Sequence, residues 1–409
     1  MTRPGGTCGR PLNSPPGRIL YLALADARGH LMRAHLLSSA LAPASIDVDI
    51  VTTSHEGIRF LETLGSPSRL LSEHFRVEFG DRHDMSRVRT DRRVLNYLLL
   101  PWRALADLRR LAGLARGHDL VVNDSLHPAL LVAPALGFPF PVVQVYGENL
   151  WRATEDNLDD RAPRWVVHRY RRALRAVEAR AFGRIVHTLG STDVPPAAAP
   201  RTYRIAPIVA RPARGREAVR EALRVPARSP LAAVYLNPHF RDPTIATALE
   251  DGLARASMHL HAVGEGYSGR PGWVGTDGAF GDVVHAADLF VSGAGMGALE
   301  LARSSGTPLL VLLGDQPEQA RNLAELHRLA PDLGLRSVLV GDPDLSSAIA
   351  AAAAALAIRR GPGPTSPRAS GDQLWVHAFQ ELVRAAQLHA RARQRLLARP
   401  RPILGPGVP

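Results

Sequence analysis

The sequence predicts an α/β protein with two parallel sheets, each flanked by helices. Apolar runs such as ILYLAL at 19–24 have the continuous hydrophobicity of strands that are buried on both faces. Amphipathic segments alternate with these runs, as they do in βαβ units. The alternation stops between Ser191 and Pro230 and then resumes, so the 409 residues predict two doubly wound, Rossmann-like halves that face each other across a cleft.

In the amino-terminal half, the first strand ends in a polar loop with Gly29, and a helix follows. A second strand comes next, and then a basic amphipathic helix in which Pro101 predicts a kink or a break. The remaining segments of this half follow as strand, loop, helix, turn and strand: DLVVNDSLHPALLVAPALGFPFPVVQV. The carboxyl-terminal half repeats the alternation, with strands predicted at LAAVYL, MHLHAVG, GWVG, DLFVSG and TPLLVLL.

The composition changes divide the chain into five parts. They are a disordered leader at 1–17, an N-terminal Rossmann-like domain at 18–195, a Pro/Ala-rich linker at 196–229, a second Rossmann-like domain at 230–360, and a Pro/Gly-rich break with a last helix at 361–409.

The net charge of +12, from 50 basic and 38 acidic residues, favours anionic partners such as phosphorylated ligands or an anionic membrane surface. No zinc-finger, homeodomain or RRM motif accompanies it, so we predict no nucleic-acid partner. Cys8 is the only cysteine, which excludes an intrachain disulfide and a multi-cysteine metal site. No signal peptide or eighteen-residue apolar run is present, so we expect a cytoplasmic protein.

The segment LNYLLLPWRALADLRRLAGL, at 95–114, has two interpretations. It is either a helix packed on the sheet or an interfacial helix with Trp102 at the inner face of an anionic membrane.

The loop SGAGMG connects a predicted strand to a predicted helix. Glycines there allow a phosphate to approach the backbone, and the free N–H groups of a helix amino terminus favour an anion. Glu300 lies about one turn further on, where a carboxylate can accept hydrogen bonds from two ribose hydroxyls. Close packing of the loop and an exposed helix glutamate are the alternative interpretations.

The segment GDQPEQARNL places one acid and several amides beside that loop: Asp315, Gln316, Gln319 and Asn322. Such a row offers donors and acceptors at the spacing that sugar hydroxyls need. The alternative is an ordinary helix start, with Pro317 at its first position, and a polar surface.

The block at 287–326 resembles the donor-binding half of GT-B glycosyltransferases, and most closely those of family 28. The resemblance implies a metal-independent transferase without a cofactor, whose co-substrate is a nucleoside-diphosphate sugar such as a UDP-sugar. It also implies that the last helix crosses back to the first domain. It assigns the diphosphate to the loop, the ribose to Glu300 and the donor sugar to the 315–322 segment; the loop residues are Ser292, Gly293, Ala294, Gly295, Met296 and Gly297.

The first loop, LADARGH, resembles the acceptor side of the same family. His30 would be the general base toward the acceptor hydroxyl, because an imidazole with a pKa near 6.5 takes a proton at neutral pH. Asp124 would orient it, and Asp26, beside Gly29, is a second candidate. The alternatives are a helix-capping histidine and a turn aspartate.

One segment departs from the family pattern. YLNPHFRDP replaces a Gly/Ser-rich loop, and Arg241 would neutralise a phosphate there in place of backbone amides. Two other functions therefore stay open beside glycosyl transfer to an unknown acceptor. They are hydrolysis of a nucleotide sugar and its binding without catalysis.

Overall fold

The computed structural model describes residues 16–25, 28–75, 96–97, 100–124, 126–149, 164–189, 201–226, 228–314, 317–357 and 371–397. Within them the chain forms one seven-stranded and one six-stranded sheet, with helices in most of the connections between strands. Every strand pair is parallel. The predicted fold class is confirmed.

The first sheet has the strand order β3-β2-β1-β4-β5-β6-β7. Its strands are β1 Gly17–Ala23, β2 Ile46–Thr52, β3 Ser68–Leu70, β4 Leu120–Asp124, β5 Val142–Gly147, β6 Gly183–His187 and β7 Thr202–Ile205. The direction of winding reverses between β1 and β4. In open parallel sheets ligands bind outside the carboxyl ends of the strands at such a switch point.

The second sheet has the order β10-β9-β8-β11-β12-β13, which reverses between β8 and β11. Its strands are β8 Leu231–Leu236, β9 His259–Gly264, β10 Trp273–Val274, β11 Leu289–Gly293, β12 Leu309–Leu313 and β13 Leu335–Leu339. Both sheets therefore have a switch point at which a ligand can bind.

Twelve α-helices and three short 3₁₀ helices lie within the described residues. The α-helices are α1 Arg28–Leu41, α2 His55–Thr63, α3 Pro101–Leu114, α4 Pro128–Val132, α5 Arg164–Arg180, α6 Arg216–Ala222, α7 Pro243–Arg255, α8 Phe280–Ala286, α9 Met296–Ser305, α10 Pro317–Leu329, α11 Leu345–Ala357 and α12 Gly371–Leu397. Pro101 begins α3, where its missing N–H costs no hydrogen bond. Gly306 ends α9 with a φ of 66°, a conformation that glycine adopts without steric penalty.

The predicted linker at 196–229 contains regular structure. Thr202–Ile205 is β7, paired with β6 in the first sheet, and Arg216–Ala222 is α6. A four-residue edge strand is too short to show a periodicity, so the Pro/Ala-rich composition dominates the sequence signal there.

Helix α12 packs into the core of the first sheet. Trp375, Phe379 and Leu382 are fully buried in the same apolar cluster as β1, β4 and β5. The Trp375 indole donates a hydrogen bond of 2.8 Å to the carbonyl of Ala206, next to β7. The chain thus returns from the second sheet to the first. No helix within the described residues is long and apolar enough to span a membrane.

Candidate functional site

The carboxyl edge of the first sheet brings β1 and α1 next to the end of β4. Ala23, at the end of β1, pairs in register with Asp124, the last residue of β4. Helix α1 begins at Arg28, directly after the loop that follows β1. Because His30 and Arg33 are three residues apart on this helix, both side chains lie on the side that faces Asp124.

The Asp124 carboxylate is fully buried, and three side chains contact it through polar atoms. His30 Nδ1 lies 3.3 Å from Asp124 Oδ1, and Arg33 Nη1 donates to the same oxygen over 2.6 Å. The Tyr21 hydroxyl donates to Oδ2 over 2.8 Å. The structure therefore brings the two predicted acceptor-side residues together, and it adds Arg33 and Tyr21.

The Asp124 carboxylate is held in its charged form. Burial raises its pKa, but the charges of Arg33 and His30 lower it by more, so the pKa lies below its ordinary value. Burial and the neighbouring Asp124 raise the pKa of Tyr21, which stays a neutral donor. An ionised Asp124 accepts a hydrogen bond from Nδ1 and leaves Nε2 of His30 to take up a proton.

Among the described residues, side chains join the two halves of the molecule at Arg28 and at Asn149. Arg28, at the start of α1, forms a bidentate ion pair with Glu265 in the short 3₁₀ helix after β9, with 2.6 Å between Nη2 and Oε2. Asn149 Nδ2, after β5, donates to Asn322 Oδ1 and Glu325 Oε2 of α10, each over 2.9 Å. The predicted donor residue Asn322 thus also contacts the amino-terminal half.

The predicted diphosphate loop ends β11 and begins α9. Ser292 and Ala294 are buried, and Ala294 O accepts a 3.2 Å hydrogen bond from Asn322 Nδ2. A Cβ atom at Gly295 or Gly297 would meet no atom of the described residues within 4 Å, whereas one at Gly293 would lie 3.3 Å from the Phe240 ring. The backbone at the amino terminus of α9, with Met296 as its first residue, is therefore open to a ligand.

Glu300 lies one turn into α9 and is buried, so it is not the exposed glutamate of the alternative interpretation. Its carboxylate accepts two hydrogen bonds from Arg303, of 2.8 Å from Nε and 2.7 Å from Nη2. A ribose at this carboxylate would share it with Arg303 or displace it.

The structure describes three further residues of the predicted site. Gln319 Oε1 accepts a 3.4 Å hydrogen bond from Gly314 N, and Gly29 lies exposed in the first turn of α1. Arg241 Nε donates to the carbonyl of Pro238 in its own loop over 3.0 Å. The remaining predictions lie outside the described residues: Asp26, Asp315 and Gln316.

Two cleft residues were missed by the sequence analysis. Burial raises the pKa of Glu318, in the first turn of α10, and the proximity of His30 lowers it. Burial lowers the pKa of His239 to about 4, and Arg28, Arg241 and His30 act in the same direction. Both side chains therefore lie close to His30, although they come from the second half of the chain. Glu318 lies in the segment GDQPEQARNL and His239 in YLNPHFRDP, but only the folded arrangement places their side chains near His30.

Within the described residues, no group of three or more His, Cys, Asp or Glu side chains is arranged to hold a metal ion. The positive groups near the cleft are arginines and the amino terminus of α9.

Solved structures with the same architecture are glycosyltransferases. The glycotransferase of kitacinnamycin is 21% identical over 92% of this chain and 99% of that chain, with a TM-score of 0.53. LpCGTa, in complex with UDP, is 17% identical over 91% and 95%, with a TM-score of 0.55. UGT89C1 of Arabidopsis thaliana, complexed with quercetin, is 13% identical over 91% and 94%, with a TM-score of 0.57.

The chain has the GT-B fold. At identities of 13–21%, these structures establish the fold alone. No family model matches the chain, and neither does any curated protein. The closer resemblance to family 28 stays a prediction.

Proposed function

We propose that the protein is a glycosyltransferase that moves a sugar from a nucleoside-diphosphate sugar to an acceptor hydroxyl, with His30 as general base. One observation carries the proposal. His30 contacts a buried, ionised Asp124 at the switch point of the first sheet, and Glu318 of the second half lies close to the same imidazole. A base therefore lies between the acceptor half and the donor half.

In the proposed reaction the acceptor oxygen attacks the anomeric carbon of the donor sugar. The bond from that carbon to the diphosphate oxygen breaks, and its electron pair leaves with the nucleoside diphosphate. The acceptor proton passes to Nε2 of His30, and Asp124 stabilises the imidazolium that forms. Such general base catalysis contributes about 10²–10⁴ in rate.

The open backbone at Gly295 and Gly297 supports a diphosphate site at the amino terminus of α9. The helix dipole and free N–H groups there stabilise the leaving diphosphate, which needs no metal or cofactor. A UDP-sugar is the first donor to test, because the similarly folded LpCGTa was solved with UDP. We expect activity to persist in excess EDTA.

The test is release of UDP from UDP-glucose and related donors, with and without hydroxyl acceptors such as quercetin. Release that requires an acceptor and is lost in His30→Ala supports the transferase. Release in water alone indicates the hydrolase. A UDP-induced rise in melting temperature without turnover, unchanged in His30→Ala, indicates a non-catalytic binder. No effect of any nucleotide would overturn all three.

We also propose peripheral contact of α3 with an anionic membrane. Trp102 is 62% exposed and Leu105 is 39% exposed on this helix, which also carries Arg109 and Arg110. Vesicles of phosphatidylglycerol and phosphatidylcholine should sediment the protein at low salt, and Trp102→Ala should lose this binding. Leu339→Ala, which removes a 63% exposed apolar side chain from the second half, is the control and should keep it.

A further inference from the structure

A second imidazole lies near His30 on the first sheet. His187 is the last residue of β6 and pairs in register with Gly147, the last residue of β5. A Cβ atom built on Gly147 would lie 3.0 Å from Cε1 of His187. The ring therefore lies across β5, over space that any residue other than glycine would fill.

The register through β5, the strand between β4 and β6, places His187 on the same face of the sheet as Asp124. Asp124 pairs with Val145, and Val145 pairs with Ile185, which is two residues before His187. Because side chains alternate along a strand, Asp124, Ile185 and His187 point to one side. His187 thus lies one pleat further toward the ligand-binding edge than Asp124.

The His187 side chain has polar atoms without partners in the folded protein. It is 4% exposed, and neither Nδ1 nor Nε2 has a hydrogen-bond partner among the described residues. A neutral imidazole carries one donor and one acceptor. Buried polar groups are nearly always hydrogen-bonded, and leaving them unpaired destabilises a protein. A ligand that hydrogen-bonds this ring would satisfy these nitrogens.

The protonation state of the His187 ring also fits a hydrogen-bonding role. Burial lowers the pKa of His187 well below its ordinary value, and the nearby charge of Arg33 lowers it further, whereas Asp124 acts in the opposite direction. The neighbouring His30 lowers it as well. His187 is therefore neutral at physiological pH, so one nitrogen is available as a donor and the other as an acceptor.

We propose that His187 is an acceptor-binding residue that hydrogen-bonds a second polar group of the acceptor, adjacent to the hydroxyl presented to His30. The acceptor class that fits is a molecule with two neighbouring hydroxyls, or with a hydroxyl next to a carbonyl. This inference rests on the proposed glycosyltransferase function and extends it to acceptor selection.

Two coumarins serve as the acceptor probes, with UDP-glucose as the donor. 6,7-Dihydroxycoumarin has two adjacent hydroxyls, and 7-hydroxycoumarin has one. The wild type should use the first with a kcat/KM about 10-fold or more higher, because an unpaired polar site rejects the analogue that lacks its partner. His187→Phe keeps a ring of similar size and removes both nitrogens, so it should lose this preference through the acceptor KM. The KM for UDP-glucose should not change.

Thermal unfolding separates this role from a structural one. His187→Phe should unfold at the same or a higher temperature than the wild type, because it removes two unpaired nitrogens from a buried position. Gly147→Ala, whose Cβ displaces the ring, should also lose the preference while His187 is still present. A lower melting temperature for His187→Phe, or an unchanged preference in both variants, would overturn the proposal. If the wild type releases no UDP with any acceptor, the glycosyltransferase function has failed and the acceptor-binding role fails with it. Acceptor-dependent release with an unchanged preference in both variants overturns the role of His187 alone.

Discussion

Arg33 and His30 contact the same oxygen of Asp124, at 2.6 Å and 3.3 Å. The carboxylate thus has a permanent cationic partner in addition to the imidazole it orients. Arg33 stabilises the charge of Asp124 when His30 is neutral, the state in which a base accepts its proton. When His30 takes up the acceptor proton, the same carboxylate faces two cations.

Arg33→Met should destabilise the protein by about 3–5 kcal/mol at pH 7, because it leaves a buried carboxylate without its cation. Urea unfolding measures the loss. The pKa of folded Asp124 lies below the ordinary value of about 3.9, so its contribution to stability is present above that pH and is lost as the pH falls through the folded pKa. In the variant, burial is no longer offset by Arg33, so the carboxyl of Asp124 takes up a proton at a higher pH than in the wild type. The difference in the free energy of unfolding should therefore be largest near pH 7 and shrink as the pH falls.

The control for this prediction is Arg59→Met, which removes the cation of the exposed pair with Glu56 and should cost less than about 1 kcal/mol. The double variant Arg33→Met with Asp124→Asn should recover part of the loss, because the uncompensated charge is gone. An equal loss in Arg33→Met and Arg59→Met would contradict the role assigned to Arg33.

Asp124→Asn should lower kcat for transfer by about 10²–10⁴ while UDP still raises the melting temperature as it does for the wild type. An asparagine no longer stabilises the imidazolium of His30. His30→Ala should cost about as much, and the double variant should cost little more than either single change, because the two residues act as a unit. Losses that multiply in the double variant would show that Asp124 acts independently of His30.

The sequence predicted the parts of the molecule that depend on local patterns. Strands with continuous apolar runs, such as β1 and β8, were found where expected. Asp124 was predicted near the end of such a strand, and His30, predicted in the loop after β1, lies in the first turn of α1. Arg33 gave no signal, because an arginine in a helix is ordinarily exposed and only burial beside Asp124 gives it a role. The edge strand β7 and its contact with Trp375 join segments about 170 residues apart, so no local pattern reveals them.

Glu265→Gln should loosen the closed arrangement of the two halves. The change leaves the guanidinium of Arg28, which is 4% exposed, without its carboxylate, and should cost about 1.5–3 kcal/mol. We expect a larger radius of gyration by small-angle X-ray scattering and higher KM values for donor and acceptor together. Glu221→Gln, which neutralises an exposed carboxylate of α6, is the control and should change neither. An unchanged radius and unchanged KM values in Glu265→Gln would show that the ion pair does not hold the cleft closed.

Glu300→Ala should separate the ribose site from the diphosphate site. If Glu300 binds the ribose hydroxyls, the variant should lose about 10-fold or more in affinity for UDP, since hydrogen bonds to a charged group are worth about 1.5–3 kcal/mol. Inorganic pyrophosphate, which has no ribose, should raise the melting temperature of variant and wild type equally, because it needs only the amino terminus of α9. Each shift is measured from the melting temperature of the same protein without ligand.

Arg303→Ala completes the comparison, because it keeps Glu300 and removes the partner that holds its carboxylate in the free protein. UDP affinity should be retained or increased in this variant, since the ribose no longer competes with the guanidinium. If Glu300→Ala lost affinity for pyrophosphate and for UDP in equal measure, the carboxylate would act by holding α9 in place. If it lost neither ligand, the ribose would bind elsewhere.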